Sequence, residues 1–160
     1  MKKIMTPRGH RALQEELKKL KAQRPEIAQM IEEARANGDL SENADYDAAK
    51  NKSGMTEAKI RNVESQLAEA EVIDPLKIVD TSKVKFGVTV VIEDIDSEEI
   101  KQYSIYGTEE SDVAKGWISY ESPLGRALIG KALDDTVTVA LPGGKREYQI
   151  LEIRIDYLEE

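Results

Sequence analysis

The chain has 160 residues, 34% of them charged and 5% aromatic, with a formal net charge of −8, which allows one or two well-solvated domains with modest cores. It has no cysteine and one histidine, so disulfides, thiol nucleophiles and thiolate metal sites are excluded, and a His-based metal site or catalytic triad nearly so. Residues 1–75 carry 13 Lys/Arg against 14 Asp/Glu, whereas residues 76–160 carry 10 against 17; the acidic C-terminal part repels bare nucleic acid and suits a protein partner with a basic surface.

The opening residues Met1 to Pro7 lack the apolar run of a signal peptide, and no stretch approaches the roughly 18 apolar residues of a membrane span. A soluble, cytoplasmic protein without membrane contact is the expectation. Thr6-Pro7-Arg8 predicts a helix start, with Thr6 as N-cap and Pro7 at the first helical position. From there Leu13, Leu17, Leu20, Arg24, Ile27, Ile31 and Ala34 are spaced alternately by four and three. That spacing is the seam of a coiled coil. Pro25 falls inside it and predicts a kink, since it removes one backbone hydrogen bond and crowds the carbonyl four residues back.

The helix is expected to end near Asn37, and a polar turn at 36–43 follows, Ala-Asn-Gly-Asp-Leu-Ser-Glu-Asn. A second seam then runs through Tyr46, Ala49, Ser53, Thr56, Ile60, Val63 and Leu67. The two seams mirror each other: the numbers of facing residues sum to 80, as in Leu20 with Ile60. Folded back at residue 40, they meet layer by layer as an antiparallel helical hairpin, with arms roughly 43 Å long. Arg24 would face Thr56 in a thin middle layer. Gly54 is read there as a point of close approach between the arms.

Val72-Ile73-Asp74-Pro75 ends the helical pattern, and 76–83 reads as a linker. Beyond it the period changes to that of strands: Val84 to Ile95, Ile100 to Tyr106, Trp117 to Tyr120, and a final hairpin from Thr136 to Leu141 and Arg146 to Ile155 around Pro142-Gly143-Gly144. Pro123 to Ile129 is a short helix with Ser122 as its N-cap and Gly130 after it. The pattern predicts α+β architecture: a coiled-coil hairpin over 1–75, and over 84–160 a small antiparallel sheet wrapped on one short helix.

Two carboxylates dominate the turn at 36–43. Asp39-x-x-Glu42 before a helix is a capping box in its plainest reading. The alternative is that both acids act as hard-oxygen ligands for Mg²⁺, an ion that keeps waters and borrows further ligands from phosphates or a partner. A rod offering half a metal site suits delivery into another protein's active centre, where two-metal phosphodiester chemistry needs a second cation.

Several stretches closely resemble the GreA/GreB family of bacterial transcript cleavage factors, and within it the GreA branch most. They are Met5-Thr6-Pro7-Arg8-Gly9, Arg24-Pro25-Glu26-Ile27, the run from Glu33 to Tyr46, Val72-Ile73-Asp74-Pro75, Ser122-Pro123-Leu124-Gly125-Arg126-Ala127-Leu128-Ile129-Gly130-Lys131 and Pro142-Gly143-Gly144. The resemblance covers nearly the whole chain in order. It implies a transcription elongation factor, not itself an enzyme, whose hairpin enters the secondary channel of RNA polymerase. Asp39 and Glu42 match the family's two acids, which hold a second Mg²⁺ jointly with the polymerase and not in the free protein. The polymerase then cleaves the backtracked transcript near the nascent RNA 3′ end, rescuing arrested complexes.

The resemblance also implies a basic patch touching RNA, with Arg35, Lys50 and Lys52 as candidates and Lys59 and Arg61 behind them. Lys50-Asn51-Lys52-Ser53 departs from the more acidic run of the family. The C-terminal domain is expected to be FKBP-like and to dock on the rim of the channel through Ser119, Ser122, Pro123 and Leu124. No small-molecule substrate is implied. The rival functions are a channel-binding regulator that inhibits polymerase without cleavage, a prolyl-isomerase-like enzyme acting through 84–157, and a coiled-coil scaffold with a capped turn. Phe86, Trp117 and five tyrosines over 76–160 supply an aromatic proline pocket poorly.

Overall fold

The structure, a computed structural model, describes residues 2–36 and 44–159. Two compact units emerge, Arg11–Glu69 and the combination of Met1–His10 with Ala70–Glu160.

Among the described residues the first unit holds two helices, α1 (Pro7–Arg35, whose first turn belongs to the other unit) and α2 (Ala44–Glu69). Thr6 starts α1 as anticipated: its hydroxyl accepts from Gly9 N at 3.1 Å and its carbonyl from His10 N at 2.9 Å. Ion pairs join Lys21 to Glu64 at 3.4 Å and Arg24 to Glu57 at 2.8 Å. Partners therefore descend along α2 as they ascend along α1, and the helices are antiparallel. The buried side chains of this unit, Leu13, Leu20, Ile27, Ala34, Ala49, Thr56, Ile60 and Val63, all stand on the two mirrored seams. Each large aliphatic among them contributes about 1.5–3 kcal/mol by leaving water.

Three details of the hairpin differ from expectation or sharpen it. α1 passes through Pro25 as a single helix; buried Leu20 and Ile27 on either side hold it to the seam, offsetting the roughly 3 kcal/mol that an interior proline costs. Arg24 is exposed and leaves the seam: its Nε and Nη2 donate to the two carboxylate oxygens of Glu57, both at 2.8 Å. Those bonds hold the Glu57 carboxyl below the usual carboxylate range. Gly54 marks no close approach, because a Cβ built there meets nothing within 4 Å. Gly54→Ala should therefore stabilise the hairpin, by up to about 1 kcal/mol from helix propensity alone. A urea melt followed by helical circular dichroism checks this; a loss of stability contradicts it.

The second unit holds two sheets. In the smaller, β1 (Lys3–Met5) pairs in parallel with β2 (Ala70–Val72), with Ile4 opposite Glu71. The larger contains β3 (Thr89–Asp94), β4 (Ile100–Tyr106), β5 (Trp117–Ser119), β6 (Thr136–Leu141) and β7 (Gly144–Arg154), in the spatial order β5-β4-β3-β7-β6. Three pairings are antiparallel, but β4 and β5 run parallel, with Ile105 opposite Ile118. The sheet is thus mixed, where alternation alone suggested an antiparallel one. The segment between β4 and β5 crosses over through two short 3₁₀ turns, Thr108–Glu110 and Val113–Lys115, instead of turning back as a hairpin.

The core gathers Val90, Ile92, Ile105, Val137, Val139, Tyr148 and Ile150 from this sheet with Val84 and Val88 from the segment ahead of β3, and α3 (Pro123–Leu128) adds Leu128. Ile129 lies outside it and is exposed. The small parallel sheet changes the domain boundary. The outer residues of the region expected to be hairpin, 1–10 and 70–75, fold with the C-terminal unit, not with the rod.

Candidate functional site

Asp39 and Glu42 lie outside the described residues. Their flanks are described. Arg35, in the last turn of α1, pairs with Glu32 at 3.5 Å across one helical turn. Lys50 places its ammonium 5.4 Å from the Tyr46 ring centre, and Tyr46 is half-buried on the seam. Lys52 borders a shallow cleft between the helices, together with Met30, Glu33, Ala34, Asp45 and Ala49. Arg35, Lys50, Lys52, Lys59 and Arg61 are all exposed. Ion pairs with such exposure contribute little to stability.

The stretch from Ser119 to Leu124 is largely occupied with its own fold. The buried Ser119 hydroxyl bonds that of Thr108 at 2.7 Å and accepts from Glu121 N at 3.0 Å. Ser122 caps α3: its Oγ accepts from Gly125 N at 3.0 Å and donates to Ser119 O at 2.6 Å. Leu124 packs against the core. Of the four docking candidates, Pro123 is the exposed one. Beside them, the hydroxyl of Thr108 and then the ammonium of Lys3 hold the Glu121 carboxyl below the usual range.

Sequence reasoning missed how the first residues of the chain are held. Ile4 N donates to Tyr120 Oη at 3.1 Å, and Arg8 N donates to Tyr157 Oη at 2.9 Å. The Arg8 guanidinium lies 4.2 Å from the Trp117 ring centre, 4.7 Å from that of Tyr157 and 5.3 Å from that of Tyr106. Its Nη1 donates to Leu158 O at 2.8 Å, while Nη2 is buried without a hydrogen-bond partner among the described residues. Aromatic faces take the place of that partner. Glu110 completes the anchorage by receiving Thr6 N at 3.1 Å and the Thr6 hydroxyl. The one signal in the sequence was an N-cap threonine followed by a first turn without any acid.

Comparison with known families covers both parts of the chain. The profile described as transcription elongation factor, N-terminal, matches residues 3–72, and that described as transcription elongation factor, GreA/GreB, C-terminal, matches residues 79–155. The chain belongs to the GreA/GreB transcription elongation factor family. Curated relatives of this GreA/GreB member agree over almost its full length. It is 49% identical over 153 residues to transcription elongation factor GreA of Psychrobacter cryohalolentis, covering 95% of this chain and 97% of the relative. To GreA of Pseudomonas aeruginosa it is 50% identical over 151 residues, covering 94% and 96%. To GreA of Desulfovibrio desulfuricans it is 50% identical over 145 residues, covering 91% and 89%.

Membership in this transcription elongation factor family implies interaction with RNA polymerase. The described residues of this GreA/GreB member contain no cluster of three His, Asp or Glu side chains able to hold a metal. No helix among them is long and apolar enough to cross a membrane.

Proposed function

We propose that this GreA/GreB-family chain inserts its helical hairpin into the secondary channel of bacterial RNA polymerase and lends Asp39 and Glu42 to the polymerase's own transcript cleavage. The observation that carries the reading is the antiparallel pair itself. α1 ends at Arg35 and α2 begins at Ala44, so both acids belong to the connection between two helices that pack along mirrored seams.

Carboxylate oxygens are the hard donors that Mg²⁺ takes, and two of them leave most of its positions to waters and partner ligands. The donor set thus fits an ion held jointly with the polymerase rather than by the free chain. When bound there, the ion supplies Lewis-acid stabilisation and a water of lowered pKa. Asp39 and Glu42 contribute ligand oxygens and orient that water. Arg35, Lys50 and Lys52 meet phosphates of the extruded RNA, a contact that weakens with salt. The exposed Pro123, beside the structural Ser119, Ser122 and Leu124, marks the side of the C-terminal unit that docks on the rim. Catalysis belongs to the polymerase, the chain being a factor of the bacterial cytoplasm with no small-molecule substrate of its own.

The test halts a bacterial polymerase in a backtracked state and adds this protein with Mg²⁺. Release of short 3′ RNA fragments followed by resumed extension is the expected result. Blocked extension with RNA of unchanged length would instead establish a channel-occupying inhibitor.

A further inference from the structure

α1 begins without a negative charge. Its first turn reads Pro7-Arg8-Gly9-His10 and contains no acid, so a fixed cation stands at the positive end of a 29-residue helix, where anions are favoured. The missing carboxylate comes from Glu110, about a hundred residues on. Its Oε2 accepts from Thr6 N at 3.1 Å and from Gly107 N at 3.0 Å, and its Oε1 accepts from the Thr6 hydroxyl. That hydroxyl in turn accepts from Gly9 N at 3.1 Å, and Thr6 is 0% exposed.

The space around the carboxylate is cleared for it. A Cβ on Gly9 would lie 2.5 Å from Glu110 Cδ, and one on Gly107 would lie 2.8 Å from Oε2. Two glycines, a buried threonine and one acid close around the root of α1. Arg8 meanwhile turns its charge aside onto the rings of Trp117 and Tyr157.

We infer that Glu110 is a positioning residue for transcript cleavage: it locks the root of the helix that leads to Asp39 and Glu42. The inference rests on the reading given under Proposed function. From His10 to Arg35, α1 is a rod roughly 40 Å long, and a play of about five degrees at one end moves the other by about 3 Å. Misplacing a catalytic group by about 1 Å can cost about a hundredfold in rate.

Glu110→Ala should lower the cleavage rate at saturating factor roughly ten- to hundredfold, with the half-saturating concentration changed less than about twofold. Glu110→Gln keeps a carbonyl oxygen for Thr6 N and Gly107 N but loses the charge and the acceptor of the Thr6 hydroxyl; it should recover part of the rate. Because the chain has no cysteine, spin labels at Ala36→Cys and Lys145→Cys report the root directly. Their distance distribution should broaden in Glu110→Ala and narrow again in Glu110→Gln. An unchanged maximal rate, a loss confined to half-saturation, or an unchanged distribution overturns the inference. A wild-type protein that releases no RNA fragments overturns the underlying reading instead, and is told apart by that control.

Discussion

Asp39→Asn and Glu42→Gln should each reduce RNA shortening in a backtracked complex by roughly a hundredfold or more, with binding to the polymerase nearly unchanged. The magnitude follows from ligand chemistry. Changing a group that merely orients a metal ligand costs about ten- to a hundredfold, and removing a ligand oxygen costs at least as much. Both replacements keep the size of the side chain and an oxygen able to accept from a backbone amide, so any capping role at the start of α2 largely survives. A capping box alone therefore predicts little change in activity and a small change in helix stability. Competition between variant and wild type for the polymerase measures binding, and gel analysis of labelled RNA measures shortening.

Gly125→Ala should destabilise the C-terminal unit by about 2–3 kcal/mol. A Cβ at that position would stand 2.3 Å from Ser119 O and 3.2 Å from Ser119 C, and both are backbone atoms that no side-chain rotation can clear. The carbonyl is also pinned, because it accepts from Ser122 Oγ at 2.6 Å and from Ser122 N at 3.0 Å. Alanine's better helix propensity returns at most about 1 kcal/mol. Trp117 is the one tryptophan of the chain and lies in this unit, two residues from the crowded carbonyl. Urea unfolding read by its fluorescence gives the loss. A variant as stable as wild type means that α3 can shift away from β5, and that the glycine of Ser-Pro-Leu-Gly-Arg has no packing duty.

The hairpin was readable because its energetics are periodic. Leucine, isoleucine and alanine at alternating spacings of three and four leave one way to bury both seams, and Leu20, Ile27, Ile60 and Val63 are buried where the mirror relation puts them. The exceptions are polar. Arg24 holds a seam position in sequence, but its side chain is long enough to reach Glu57 in solvent, and charge recognition overrode the period. The strands from 89 to 154 were legible by alternation. The direction of β5 was not, since alternation is the same in parallel and antiparallel pairings. β1 and β2 are three residues each, too short to show a period, and their pairing joins Lys3 to Ala70 across the whole hairpin.

The acids proposed for the turn rest on their spacing and on the family motif around them, since both lie outside the described residues. Glu110 was not legible. In sequence it is one acid in the loop Gly107-Thr108-Glu109-Glu110, and only the fold brings it to Thr6 and Gly9. Its counterpart clue, the start of α1 without an acid, acquires meaning once the carboxylate is seen to fill that place. Gly54 carries the reverse lesson. A glycine within a helix, beside the thin middle layers of the seam, suggested close approach, yet a Cβ built there meets nothing within 4 Å.

The most direct measurement titrates Mg²⁺ against the rate of RNA shortening in a backtracked polymerase saturated with wild-type protein or with Asp39→Asn. If the hairpin lends metal ligands, the variant needs roughly ten- to a hundredfold more Mg²⁺ for half its maximal rate, and high Mg²⁺ restores part of the activity. The same Mg²⁺ dependence for both proteins would contradict the account.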